Sequence, residues 1–291
     1  MEKSKIAFVI LYYKAYEDTI DCIHSVLCLD QNNFELEIVV VDNDSRDGAI
    51  DKLKKQFKDV HYIRNNKNDG YARGNNIGIK YAKNTLKANF VVILNSVAVI
   101  KDKQFGEKII TTYEKEQFYV MGPKVIGFYD RKNQSPISNC DDKNINKILI
   151  SNDLHYWAWK LNVIKLIRKF RTPNEGDYVK RESIDKYKCI CHGCCLIFSP
   201  LFLSRWNGFD GNTFLYKEER ILFYVLHRLK CKTLYCEDLT VEHKGGTSVK
   251  KTIGNQDRKR FLFIYRERHN ALLEEKRVMS LSDKEIENVL L

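Results

Sequence analysis

What most limits the fold open to this chain is the alternation in its first hundred residues. Short runs rich in β-branched residues, KIAFVILYY (5–13), ELEIVVVDN (35–43) and VHYIRN (60–65), are each followed by a segment with helical apolar spacing, at 16–29, 48–57 and 74–84. A further run, VVILNSVAVI (91–100), is apolar on both sides of Asn95-Ser96 and reads as one strand buried on both faces, as the central members of a parallel sheet are. Strands alternating with helices through short polar connections build a doubly wound sheet. The predicted class is α/β, a Rossmann-like, mainly parallel central sheet flanked by helices. Such sheets take their ligands at the carboxyl ends of the strands, which directs attention to the residues ending each run.

The regularity falls away after about residue 120. Residues 130–190 read as an irregular insertion over the sheet within a domain covering 1–250, and 251–291 read as a C-terminal helical extension. Within the insertion a helix is predicted over 155–171, where Trp157, Trp159, Leu161, Ile164, Ile167 and Phe170 interleave with Lys160, Lys165, Arg168, Lys169 and Arg171. That composition suits a bilayer headgroup region, and equally a basic surface helix docked on the core; both readings stand. The extension repeats the theme with more charge, which favours ordinary docking.

The formal charge of +11 calls for an anionic partner: nucleic acid, anionic lipid or a phosphorylated substrate. No helix-turn-helix, RNP or zinc-finger pattern occurs, which sets nucleic acid aside. No run approaches the ~20 apolar residues of a membrane span and the start is not a signal peptide, so a cytoplasmic protein is expected, with at most peripheral contact with the inner membrane face. Nine cysteines without regular spacing fit reduced thiols. Cys189, Cys191, His192, Cys194 and Cys195 in CICHGCC suggest zinc, but a structural zinc site draws on two separated pairs and no second pair is evident. These cysteines are expected to pack as small hydrophobes.

Three polar clusters fall where a parallel sheet would gather them. VVVDNDSRDG places Asp42 at a strand end, followed by Asn43 and a turn into a helix start that favours anions. NDGYARGNN carries Gly70, which permits close backbone approach, and Arg73, which can pair with phosphate; it is neither a Walker loop nor a dinucleotide fingerprint. FDGNTFLYKEERILFYVL puts Glu218 and Glu219 at a helix start, where an acidic pair compensates the dipole by default and can also supply a general base.

Seven segments, VILYYKAYEDTIDCIHSVL, IVVVDNDSRDG, NKNDGYARGNNIGIKYA, VVILNSVAV, CHGCCLIFSPLFLSRWNGFD, FLYKEERILFYVL and VEHKGGTS, occur in the order found in the family 2 glycosyltransferases, and over about residues 5–250 the chain resembles that family. The resemblance implies a GT-A fold and an inverting transfer of a sugar from a UDP- or dTDP-sugar to a saccharide or polyprenyl-linked acceptor. The nearest branch is rhamnosyltransferase-like enzymes of bacterial capsule and surface-polysaccharide synthesis. It implies no organic cofactor. By position it assigns Tyr12, Tyr13, Asp42, Asn43, Gly70, Arg73, Asn75, Asn95 and Ser96 to the nucleotide-sugar pocket, and Gly193, Cys194 and Cys195 to the sugar and acceptor side. Glu219 takes the place of the catalytic base with Glu218 as its partner, and His243 lies near the diphosphate as a candidate metal ligand.

One departure stands out. The family's Asn-x-Asp at the end of the fourth strand reads Asn95-Ser96-Val97 here, and a valine cannot ligate the Mg²⁺ or Mn²⁺ that the missing carboxylate would hold. Two expectations follow: a transferase whose leaving group is stabilised in another way, or a transferase-like nucleotide-sugar-binding or scaffold protein without turnover. The retained Glu219 favours the first.

Overall fold

The computed structural model describes residues 3–139, 145–164, 184–245 and 257–291. Its first part follows the alternation: β1 (Ser4–Tyr12), α1 (Tyr16–Leu27), β2 (Phe34–Asp42), α2 (Ala49–Gln56), β3 (His61–Arg64), α3 (Gly70–Asn84) and β4 (Phe90–Asn95). The strands lack hydrophobic alternation because both faces of the sheet are covered. From β1, Ile6, Phe8, Ile10 and Tyr12 join a core cluster with residues of α1 and α2, while Ala7 and Val9 join a second one with residues of α3.

VVILNSVAVI is not one strand. It breaks after Asn95, and the chain resumes as β5 (Ala98–Ile100) at the far edge of the sheet. The uniform apolar character reflects burial of both pieces and carries no information on the turn between them. The chain continues with α4 (Phe105–Glu116), β6 (Val120–Gly127), β7 (Ser138–Asn139), α5 (Ile145–Lys160), β8 (Cys189–Ile190), β9 (Cys195–Phe198), α6 (Pro200–Arg205), α7 (Glu218–Arg228), β10 (Thr233–His243), α8 (Asp257–Met279) and α9 (Asp283–Ile286). The main sheet runs β3-β2-β1-β4-β9-β6-β10-β5, with β9 and β5 antiparallel to their neighbours and the other pairings parallel; β7 and β8 form a separate ribbon.

β4 lies fourth in that order and β5 eighth, yet two residues join them, so the sheet must curl until its edge returns to its middle. A register shift between Cys236 and Thr240 in β10 supplies an irregularity of the kind that bends a strand and re-aims its end. Its final residues then pair with β5, His243 opposite Ala98.

Two boundaries differ from the sequence reading. The helix expected over 155–171 lies at Ile145–Lys160, and residues 165–183 fall outside the described residues. The buried face of this helix packs on α8: Trp159 stacks on Phe261 at 4.5 Å between ring centroids, and Asn152 Nδ2 donates to the Tyr265 carbonyl at 2.9 Å. Its other face exposes Ile150 (62%), Leu154 (59%) and Trp157 (51%), spaced as one stripe that Leu161 (66%) continues just past the helix end. The C-terminal extension is helical where described and, as expected of ordinary docking, packs on the core. Val278, Ile286 and Leu290 are buried in the same cluster as Phe202, Trp206 and Val225, and Trp206 Nε1 donates to the Glu287 carbonyl at 3.0 Å.

α3 begins four residues before the sequence reading had it, because its glycines weaken the helical pattern while serving its packing. A Cβ on Gly78 would lie 2.3 Å from Val9 Cγ1 and 3.0 Å from Val41 Cγ2, so only hydrogen fits between α3 and the sheet. We expect Gly78→Ala to push helix and sheet apart and to cost about 1–3 kcal/mol, read as a lower urea midpoint at unchanged m value.

Candidate functional site

The ends of β1, β2 and β4 lie side by side, Tyr12 opposite Asp42 and Leu11 opposite Asn95. Asp42 Oδ1 accepts the Ser45 N–H at 2.9 Å, and Ser45 Oγ accepts the Lys14 N–H at 3.2 Å, stitching the turn after β2 to the turn after β1. Tyr12 lies within the core and its hydroxyl donates to Asp47 Oδ2, so it shapes this turn from beneath; Tyr13 is half-buried. Asn43 is a buried staple. Its Nδ2 donates to Asn68 Oδ1 and the Gly70 carbonyl, and its Oδ1 accepts from Asn65 Nδ2 and the Asp69 N–H, which uses its full bonding capacity. Asn75 is buried, with Nδ2 donating to the Tyr71 carbonyl and Oδ1 unpaired.

The loop expected to line a nucleotide pocket also ties two segments of the chain together. Gly70 has φ +79°, and a Cβ there would lie 2.1 Å from the Phe214 carbonyl oxygen, which instead accepts the Tyr71 N–H at 2.7 Å. Arg73 is exposed and its Nε donates to the Gly211 carbonyl at 2.5 Å; Asn76 exchanges hydrogen bonds with the Phe209 backbone. The start of α3 thus clasps residues 209–214, the segment that leads into Glu218 and Glu219.

That segment arrives under strain. Tyr216 and Lys217 have φ of +76° and +68°, a left-handed pair of non-glycine residues immediately before the first carboxylate. Such conformations persist only where surrounding structure dictates them, and they concentrate at working sites. Both carboxylates then stand at the start of α7. The helix dipole alone would favour their ionised forms. Burial outweighs it: desolvation first, and then the charge of Glu219, push Glu218 up to about 8, and desolvation also raises Glu219. Glu219 lies over Gly193, where a Cβ would come within 3.3 Å of its Oε2. The Gly193 carbonyl accepts the Tyr71 hydroxyl at 2.5 Å, and the next carbonyl, of Cys194, accepts the Asn95 N–H at 2.8 Å. The carboxylate pair, the Gly193 segment and the end of β4 are therefore one site. Tyr71 was not singled out from sequence; an aromatic in a glycine-rich stretch gave no signal before the fold set it against Gly193.

At the adjoining corner the two-residue crossing places Ser96 and Val97 inside, both buried. The Val97 carbonyl accepts the N–H of Lys244, the residue after His243, at 3.0 Å, and Lys244 Nζ reaches Asp18 and Asp21 on α1 at 3.0 and 2.7 Å. His192, Cys194 and His243 meet here, one ligand atom from each within 4.8 Å of the others. Mg²⁺ or Mn²⁺ does not fit this donor set, which offers nitrogen, sulfur and the hydrocarbon of Val97 where hard cations take oxygen. Cysteine packing is as the sequence suggested, with Cys189 and Cys191 in one core cluster and Cys194 and Cys195 in the other.

Residues 7–179 match the family described as glycosyl transferase family 2. Among curated proteins, the low-salt glycan biosynthesis hexosyltransferase Agl10 of Haloferax volcanii is 28% identical over 123 residues, 42% of this chain and 36% of Agl10. The chain thus spans about a third of that relative's length. Crystal structures of residues 1–349 of S. aureus TarS superpose over nearly the whole chain. The structure without a named ligand has a TM-score of 0.53 at 13% identity, covering 98% of this chain and 69% of that one. The UDP-GlcNAc complex has 0.53 at 14%, covering 98% and 70%. The likeness is one of fold, the curled, mainly parallel GT-A sheet.

The buried Glu218 carboxylate yields a sign for stability against pH. Folding raises the Glu218 pKa, so the native state binds the extra proton, and stability is greater below about 4.5 and declines as pH rises towards about 8. We expect Glu218→Gln to flatten the fall of the thermal midpoint between pH 5 and 8, measured by differential scanning calorimetry against the parent chain.

Proposed function

Because this chain belongs to glycosyl transferase family 2, we propose that it transfers a sugar from a nucleotide-sugar donor, a UDP-sugar in the first place, to a hydroxyl of a saccharide or lipid-linked saccharide, with inversion. The observation that carries this reading is the Glu219 carboxylate, desolvated over Gly193 and joined through Cys194 to the end of β4. A general base works best with a pKa close to the operating pH, and burial shifts this carboxylate in that direction. In the transfer Glu219 takes the acceptor hydroxyl's proton, the oxygen bonds to the anomeric carbon, and the nucleoside diphosphate departs from the opposite face with the bonding electrons. Burial and the charge of Glu219 raise the Glu218 pKa, which disfavours a second negative charge beside the base. The solved TarS complexes with UDP and UDP-GlcNAc support a uridine donor, and the Agl10 name supports a hexosyl group. A scaffold without turnover has less support, since the strained approach and the burial of the carboxylates serve no evident packing need.

A lipid-linked acceptor in bacterial surface-polysaccharide synthesis is the finer part of this reading. The exposed stripe of Ile150, Leu154, Trp157 and Leu161 supports it, bordered by Lys147 and by Lys160, whose Nζ lies 4.5 Å from a Trp157 ring centroid. Apolar side chains beside lysines suit the edge of an anionic bilayer, and none of the described helices is long and apolar enough to cross one.

Two measurements test the reading. Incubation with a panel of UDP-, dTDP- and GDP-sugars should give transfer or donor hydrolysis with a UDP-sugar, and Glu219→Gln should lower kcat by about 10²–10⁴-fold while UDP binding is retained. Equal activity in the variant would overturn the assignment of the base. Separately, co-sedimentation with vesicles containing phosphatidylglycerol should exceed that with neutral vesicles and should fall sharply in a Leu154→Asp, Trp157→Asp double variant.

A further inference from the structure

We propose that His192, Cys194 and His243 form a site for a borderline-soft divalent transition metal, zinc in the first place, at the corner where Val97 stands. The place is the diphosphate corner of the transferase reading above, but the donor set is this chain's own and its test needs no turnover. One ligand atom from each side chain lies within 4.8 Å of the others, and the two imidazole rings are 5.2 Å apart between centroids.

Of the three donors, His243 is already oriented for a ligand. Gln134 Oε1 lies 3.1 Å from His243 Nδ1, and because a carboxamide oxygen only accepts, Nδ1 carries the proton and the Nε2 lone pair is left for a ligand. An acceptor on the far nitrogen is how metal-binding histidines are commonly oriented. The Cys194 N–H donates to His192 Nδ1 at 3.1 Å, which occupies that lone pair and leaves the neutral ring's proton on Nε2, so a cation takes His192 only by displacing that N–H or that proton. Binding takes the proton of the Cys194 thiol, M²⁺ + Cys–SH → [M–S–Cys]⁺ + H⁺, with that proton released to solvent. Three protein donors leave a tetrahedral ion one open position. Two imidazoles and a thiolate select zinc or cobalt over magnesium.

The test uses the full chain, stripped with chelator and titrated with Co²⁺. The expected result is about one equivalent bound, with a thiolate-to-cobalt charge-transfer band that Cys194→Ser abolishes and Cys28→Ser, at an exposed cysteine, leaves in place. Zn²⁺ should displace the cobalt and a large excess of Mg²⁺ should not. Gln134→Leu should weaken binding by about 10–100-fold. Should Cys194→Ser fail to fold by circular dichroism, His243→Gln takes its place, with an expected loss of affinity of about tenfold or more. No binding of Co²⁺ or Zn²⁺, an unchanged spectrum in the folded Cys194→Ser chain, unchanged affinity in His243→Gln, or displacement by Mg²⁺ would overturn the site. UDP binding is measured in parallel: if it persists while metal binding fails, this inference falls and the transferase reading stands.

Discussion

Two residues, Ser96 and Val97, carry the chain from the middle of the sheet to its far edge, and the arrangement of the site depends on that crossing. It is sterically feasible only if the sheet curls, and the curl is completed where the irregular β10 turns its last residues onto β5. The same closure brings Lys244 onto the Val97 carbonyl and His243 beside Cys194. A flat sheet with the same strands would leave these groups apart, because neighbouring strands are about 4.8 Å from one another and three others separate β4 from β5 in the sheet order.

Around this corner the protein places charge against its intrinsic preference. Glu218 and Glu219 occupy the start of a helix, where ionised carboxylates are ordinarily favoured, yet Glu218 is buried and Glu219 half-buried, and desolvation prevails. The arrangement is held from outside by the clasp between the start of α3 and residues 209–214, and from within by the left-handed backbone at Tyr216 and Lys217. Stability is thereby surrendered at one point, and the large buried clusters on both faces of the sheet offset it.

The first four strands, their parallel order and the helices between them were legible in the sequence, since double-sided burial writes itself as continuous apolar runs. The carboxylates and the Asn95-Ser96-Val97 departure were legible as well, through the resemblance. The break inside VVILNSVAVI was not, because a buried turn and a buried strand select the same apolar side chains. Nor was the packing work of the 68–76 stretch, whose polar groups staple one loop to another. The stripe on α5 was half visible: the tryptophans were marked, but which helical face they occupy depends on where α8 packs.

By itself the sequence determined the α/β class, the family, the presence of an acidic pair and the absence of a carboxylate from Asn95-Ser96-Val97, since each of these is a matter of residue type and local order. Tertiary structure alone decided which groups meet. His192 and His243 stand 51 positions apart in the chain, and only the curl of the sheet makes them neighbours. The physical reason is that local propensity acts over a few residues, whereas a site is assembled by closing long loops. That closure is dictated by the burial of the whole core, and no single segment records it.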